Sequence, residues 1–334
     1  MDVVPFCGRG STLFAARSLG LVSRGVDASP VAVAVAQAKL CEVVADEALE
    51  LARSLLDSVQ PVHIPSSTFF RYAFHKTVLK DLCAIREGLL VHKRLLDASV
   101  LLRATVLGCL HGPVSKRPEN QSYLSNQMPR TFASKPDYSV RFWRERQFSP
   151  PKTNIIAVLG RKLARFSTPI GMPRCRLSNV RIGDARLASS FPCSGRDFSV
   201  VVTSPPYYGM KTYVEDQWLR NWFLGGTDYV DYGNSNQLTH SGQDSFAESL
   251  GAVWRNMARS RSESLDMYVR FGAIPSSRAD AKKLMLASLE SSGERWRVVS
   301  IRTAETASSG KRQAQQMTAE SDAIMEYDFH LVRQ

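Results

Sequence analysis

Apolar positions change period along this chain. The first forty residues pass from short apolar runs to helical-period stretches and back: DVVPF, CGRGS, TLFAARSLG, VSRGVD, ASP and VAVAVAQAKL. That order predicts strand, glycine-rich turn, helix, strand, turn and helix, a βαβα opening. From Cys41 to Leu110 the apolar residues recur at helical spacing, as in AIREGLLVHKRLL and ASVLLRATVLGCL, with a Pro- and Ser-rich break at 61–68. Residues 113–151 read as irregular, aromatic and basic, and lead to one more helical piece, NIIAVLGRKLARF. The character changes back around residues 169–176. Short β-rich runs then resume as LSNVRI, FSVVVTS, LDMYVRFG, WRVVSIRT and EYDFHLVR, separated by the helical patterns FAESLGAVWRNMARS and ADAKKLMLASLESSG. Alternation of this kind predicts a doubly wound, Rossmann-like α/β domain with a mostly helical lobe inserted after its second strand. Residues 1–40 form its first part, 41–176 the lobe and 177–334 the remainder.

Composition narrows the class. A chain of 334 residues that is 44% apolar and 22% charged can bury the core of one large or two ordinary domains, which excludes disordered and collagen-like chains. Its longest apolar stretches are broken by Arg103 or by Gly and Ser clusters, so none reaches the roughly 20 residues that cross a bilayer. The N-terminus lacks the basic-then-apolar layout of a signal peptide. Six cysteines, Cys7, Cys41, Cys83, Cys109, Cys175 and Cys193, lie far apart without a CxxC pair. That spacing argues against a metal cluster and against a disulfide scaffold, and predicts a reducing, cytoplasmic setting with no membrane partner.

Charge is distributed unevenly. The net +12 resides in residues 51–180, with 21 basic and 7 acidic groups, while residues 1–50 carry 4 and 6 and residues 181–334 carry 18 of each. A basic insert between near-neutral segments fits a polyanion-binding lobe, because cations near phosphates release condensed counterions. A solvated helical surface would give the same count.

The opening turn offers ligand chemistry. Gly8 and Gly10, between a strand and a helix, let the backbone approach a ligand and adopt positive φ. A GxG alone is also an ordinary structural turn. The second strand, however, ends in Asp27, where α/β folds hold ribose hydroxyls, 17 residues after Gly10. A third glycine near Leu13 is absent, which disfavours NAD and FAD. Asp184, in IGDA after the run LSNVRI, would reach the same crevice if its strand neighbours the first two, and could accept an adenine amino group. Taken alone, it reads as a helix N-cap.

The sharpest pattern is FSVVVTSPPYYGMKTY. It sets a buried-looking strand against Ser204, Pro205, Pro206 and Tyr207. Paired prolines fix φ and present carbonyls without competing N–H groups, so the loop offers acceptors and no nucleophile. A flipped base could donate its exocyclic amine to the Ser204 hydroxyl and Pro205 carbonyl and rest its face on Tyr207. An isolated PPY would instead be a strand-ending turn with a core tyrosine.

Together PFCGRGST, GVDASP, IGDA and TSPPYYG resemble the S-adenosylmethionine-dependent amino DNA methyltransferases, which methylate cytosine N4 or adenine N6. The resemblance continues in SYLSNQMPRTFASKPDYSVRFW, DQWLRNWFLGG and YVRFG, and so covers most of the chain. It implies a Rossmann-like methyltransferase sheet in which Phe6, Gly8, Gly10 and Thr12 line the methionine side of S-adenosyl-L-methionine. Asp27 would hold the ribose, Asp184 the adenine, and Ser204 to Tyr207 the target base. One position departs from the family: Asp before the Pro-Phe pair is replaced by Val4, with Asp2 two residues earlier on the same strand face, which bears on cofactor affinity. An upstream segment that normally precedes the first strand is expected to be missing from this chain.

The implied reaction is in-line methyl transfer to an amine without a covalent enzyme intermediate, since no Pro-Cys pair occurs and Cys7 sits in the cofactor turn. Ser204 leans toward cytosine N4 over adenine N6. Double-stranded DNA with a flipped base is the implied partner, contacted by residues 41–176, where Tyr123, Asn126, Gln127, Arg130, Lys135, Tyr138, Arg141, Trp143, Arg144 and Arg146 mix amides, cations and aromatics. Tyr138, Phe142 and Trp143 could equally pack the lobe, and Trp218, Trp222 and Phe223 have the spacing of core residues. An RNA amine methyltransferase and a catalytically idle nucleic-acid-binding homologue remain alternatives. Whether a cognate restriction enzyme accompanies the chain, and its oligomeric state, stay open.

Overall fold

A computed structural model describes residues 2–91, 96–130, 132–166, 173–174, 179–191, 198–210, 215–233, 238, 242–260, 262–304 and 325–334. The architecture is mixed α/β, with a seven-stranded, mostly parallel sheet and eleven α-helices among the described residues. Its strands are β1 (Asp2–Pro5), β2 (Ser23–Asp27), β3 (Val180–Ile182), β4 (Val200–Thr203), β5 (Asp266–Gly272), β6 (Trp296–Ala304) and β7 (Glu326–Arg333). They lie in the order β3-β2-β1-β4-β5-β7-β6. The first five neighbours pair in parallel, and β7 runs antiparallel between β5 and β6. Strand order therefore reverses at the β1–β4 pair, the kind of switch point where α/β sheets open a crevice beyond their carboxyl ends.

The chain divides into two compact units. The first comprises Met1–Ala36, Ser178–Thr212 and Ser235–Gln334. It holds the sheet together with α1 (Ser11–Ser18), the start of α2 (Pro30–Leu40), α10 (Gln243–Ala258) and α11 (Ala281–Ser291). Each helix begins where its sequence allows. Ser29 Oγ accepts the Ala32 N–H ahead of Pro30 at the α2 start, and Asp280 caps α11 through the Lys283 N–H at 3.0 Å. Odd-numbered β5 residues Met267, Val269 and Phe271, with Phe329 and Leu331 of β7, pack into a core with Phe246 and Trp254 of α10 and Leu284 and Met285 of α11. Trp254 donates its indole N–H to Ser288 Oγ at 2.9 Å, tying α10 to α11.

The second unit, Gln37–Leu177 with Tyr213–Asn234, is helical. It contains α3 (Ala45–Ser58), α4 (Thr68–Ala73), α5 (Lys76–Val91), α6 (Asp97–Cys109), α7 (Pro136–Glu145), α8 (Ile155–Leu163) and α9 (Trp218–Phe223). Phe69, Phe70, Trp143, Trp218 and Trp222 meet at its centre, with Phe69–Trp218 and Phe70–Trp222 centroids both 4.8 Å apart. Residues 213–234, assigned from sequence to the sheet-bearing part, thus belong with the helical one because their aromatic face needs this core. Residues 113–151, read as irregular, contain α7, which starts on Pro136 at its first turn. Most of the 169–176 boundary, with Cys175 and Cys193, lies outside the described residues. Among the described residues no helix is long and apolar enough to cross a membrane.

Candidate active site

The C-terminal ends of β1, β2, β3 and β4 bring the sequence-predicted residues to one edge of the sheet. Beyond β1 the chain enters an unusual turn: Phe6, Gly8 and Gly10 all have positive φ, at 59°, 51° and 74°. Positive φ is expected of the glycines but not of Phe6, where the side chain disfavours it. The two glycines do different jobs. A Cβ on Gly10 would stand 2.7 Å from Ala36 Cβ, so Gly10 lets α1 and α2 approach, whereas a Cβ on Gly8 would meet nothing within 4 Å.

Asp27, at the end of β2, braces this turn. Its Oδ2 accepts the Gly8 N–H at 2.8 Å and its Oδ1 the Ser29 N–H at 2.9 Å. Burial pushes its carboxyl above the usual range, opposed by these two backbone hydrogen bonds. Burial, reinforced by the charge on Asp27, also pushes the Cys7 thiol far up, so this cysteine remains protonated. Val4, in the position where the resembled family carries Asp, is buried in β1, and Asp2 is half-exposed.

β3 pairs in parallel with β2, which delivers Asp184 beside Asp27, and Gly183 N–H donates to the Asp27 carbonyl at 3.0 Å. The Asp184 carboxylate is already engaged. Arg186 binds it through Nε at 2.9 Å and Nη2 at 2.6 Å, and the Arg186 backbone N–H reaches Oδ1 at 2.9 Å. Burial raises the Asp184 carboxyl, but the Arg186 hydrogen bonds and charge outweigh it and hold the group below its ordinary value.

β4 ends at Thr203, whose hydroxyl donates to the Pro5 carbonyl of β1. Ser204 follows, exposed, while Pro205 is buried and Pro206 and Tyr207 are half-buried. The loop is stitched to the end of β5: Tyr208 bridges Ala273, Ile274 N–H donates to the Tyr208 carbonyl at 3.1 Å, and Gly209 turns at φ 90° against Ile274. Tyr207 rests edge-on against Phe271 at 6.5 Å and donates its hydroxyl to the buried Glu326 carboxylate at 2.6 Å. Glu326 and Arg186 were not singled out from the sequence. Glu326 comes from β7, 119 residues away, in the polar start Glu-Tyr-Asp of that strand, and no local signal marks it.

In the helical unit the predicted contact residues separate into two groups. Asn126 is 1% exposed and its carboxamide is spent internally, donating to Tyr72 and Phe148 carbonyls at 3.1 and 3.3 Å and accepting the Gln127 N–H at 2.8 Å. The expectation that Asn126 contacts DNA is corrected: it braces the loop. Gln127 Oε1 accepts the Val114 N–H, and its carbonyl takes the indole N–H of buried Trp143, both at 2.8 Å. The side chains of Arg130, Lys135, Arg141, Arg144 and Arg146 are exposed. Three of these arginines cap aromatic rings: Arg141 over Tyr138 at 6.0 Å, Arg144 over Tyr72 at 5.1 Å and Arg146 over Phe142 at 4.1 Å.

Cys7, Cys41, Cys83 and Cys109 are buried free thiols, and among the described residues no His, Cys, Asp or Glu group could hold a metal ion. Comparison of the chain with protein-family models and with curated proteins finds no match.

Proposed function

We propose that this protein is an S-adenosylmethionine-dependent DNA methyltransferase acting on an exocyclic amine, cytosine N4 in preference to adenine N6, and built on a Rossmann-like, doubly wound sheet. The observation that carries the reading is convergence. Segments as distant in sequence as the Phe6–Gly10 turn, Asp27, Asp184 and Ser204–Tyr207 terminate at the same sheet edge, around the β1–β4 reversal. Ligands of open α/β sheets bind in that crevice.

The residues fit the cofactor. Gly8 faces open space at positive φ, and each Asp27 oxygen, with one N–H bond made, keeps a lone pair for a ribose hydroxyl. Next to it, Asp184 presents its Arg186 ion pair in place of a bare carboxylate. Bound there, S-adenosylmethionine supplies an electrophilic methyl group. The chain's own part is alignment: the Ser204 hydroxyl and Pro205 carbonyl accept the amine N–H bonds of a base flipped from duplex DNA, and Tyr207, its hydroxyl anchored on Glu326, offers a fixed ring. The protonated Cys7 speaks against thiolate attack on a ring carbon. The exposed Arg141 and Arg144 of α7 and Arg146 at its end, each over an aromatic ring, are suited to phosphates and sugars.

Incubation of the chain with S-adenosylmethionine and duplex DNA, followed by nucleoside mass spectrometry, tests this. N4-methylcytosine is the expected product. N6-methyladenine keeps the chemistry and overturns the base; 5-methylcytosine overturns both; methylated RNA with unmodified DNA moves the reaction to an RNA amine. Cofactor binding without product would leave a catalytically idle nucleic-acid-binding homologue, the reading favoured by apolar, buried Val4 in the family's Asp position.

A further inference from the structure

Among the described residues, one face of the sheet carries exposed side chains at its β5–β7–β6 end. The opposite face lies under α10 and α11, but Tyr268 is 43% exposed, and Arg270 and Arg302 are also exposed. These residues line a cavity of about 580 Å3 with Thr12, Val202, Ser204, Ser300, Asp328 and His330, all within the sheet-bearing unit.

Register orders this surface into two rungs. Val202, Tyr268, His330 and Ser300 stand in line across β4, β5, β7 and β6. Tyr268 and His330 stack at 4.4 Å and 9°, and His330 Nε2 meets Asp266 Oδ1 at 2.6 Å, which fixes the pair. Two residues on, about 7 Å along the strands, come Arg270, Asp328 and Arg302, with Ser204 following the Thr203–Val269 pair. Arg270 is held by Asp328 through two 2.7 Å bonds, and the exposed Arg302 guanidinium has no ion-pair partner among the described residues.

We infer that this face binds single-stranded nucleic acid, specifically the nucleotide adjoining the target base, with its base stacked on Tyr268 and its phosphate on Arg302. A ring rung beside a guanidinium rung matches a base and its phosphate across one sugar. Stacking on a π face together with a cation for the backbone is how single strands are held without sequence preference. Ser204 at the groove's end leads the strand toward the proposed base site, so the inference rests on the methyltransferase reading for its direction, though not for the binding itself.

Fluorescence anisotropy of the full chain with a labelled single-stranded 12-mer and its duplex is the test. Tyr268→Ala should weaken single-strand binding about 5- to 100-fold while Tyr268→Phe keeps it. Arg302→Ala, a surface change that leaves the fold intact, should lower the salt slope by about 0.7. Duplex binding should fall less, because only the nucleotide adjoining the flipped base reaches this face. A 5-iodouracil oligonucleotide should cross-link to Tyr268 or His330. Unchanged single-strand affinity in both Tyr268→Ala and Arg302→Ala, or cross-links confined to the helical unit, would overturn the inference, as would a dimer that Tyr268→Ala dissociates. Calorimetry with S-adenosylmethionine separates the two readings: cofactor binding with Tyr268-independent single strands removes the groove alone, and Tyr268-dependent single strands without cofactor binding remove the methyltransferase alone.

Discussion

Gly8 and Gly10 sit two residues apart and fail differently when a methyl is added. Gly10→Ala meets both positive φ and the Ala36 backbone, with Ala36 Cα at 2.9 Å, and should destabilise by about 1 to 3 kcal/mol. Gly8→Ala has only the backbone term, about 1 kcal/mol. Thermal melts should rank them in that order, and equal losses would mean α2 yields freely. Asp27→Ala removes a carboxylate that also braces Gly8, so S-adenosylmethionine affinity should fall about tenfold to hundredfold by calorimetry. An unchanged dissociation constant would take Asp27 out of the site. His111 adds a pH dependence. Burial, and then the nearby Arg220 charge, push its imidazole from 6.5 down to about 3, and its Nδ1 stands 2.9 Å from the Pro129 carbonyl. The native state holds it neutral while the unfolded chain takes up a proton below 6.5, so stability is complete above that value and declines as pH falls toward 3. From pH 6.5 to pH 5 the loss should be about 2 kcal/mol, read from urea midpoints, and His111→Gln should lack that slope.

Strands were more legible than helices at the scale of elements. All seven β-rich runs became strands, because each is short, apolar or alternating, and bounded by turn residues. α7 escaped although its apolar and polar residues segregate well: it is short, its buried positions are few, Val140 and Trp143 with Ser139, and irregular sequence flanks it. The Pro136 start was the available signal. Site residues at strand ends could be read because a strand's end is local information. Their partners could not: Glu326 for Tyr207 and Arg186 for Asp184 depend on pairing and rotamer. Asn126 failed for a related reason, as an amide in a polar stretch looks the same in sequence whether it faces water or ties down a loop. α7 also carries a prediction. Replacing Arg141, Arg144 and Arg146 together by Gln should reduce the duplex salt slope by up to about 2.7, and an unaffected slope would make the row of rings and guanidiniums structural. β6 shows the opposite design: Arg297 and Arg302 and the irregular register between Val298 and Ser300 discourage edge-to-edge pairing.

For the molecule as a whole, the chain passes between its two units four times, at 36/37, 177/178, 212/213 and 234/235. The long excursion, Gln37–Leu177, coincides with the stretch of helical hydrophobic period, whereas the short return at 213–234 has no such length of pattern to mark it. This interleaving sets an order of assembly during synthesis. The helical unit has all its residues once position 234 is made, whereas the sheet-bearing unit lacks β5 and its antiparallel neighbour β7 until about the last seventy residues emerge. On the ribosome the later-starting unit should therefore close first, leaving the β1–β2 pair without its outer neighbours β3 and β4 for more than half of translation and exposed to chaperone capture. Protease protection of stalled nascent chains should appear in the helical fragments before any from residues 2–27, and a chain released at 300 should remain unable to complete its sheet.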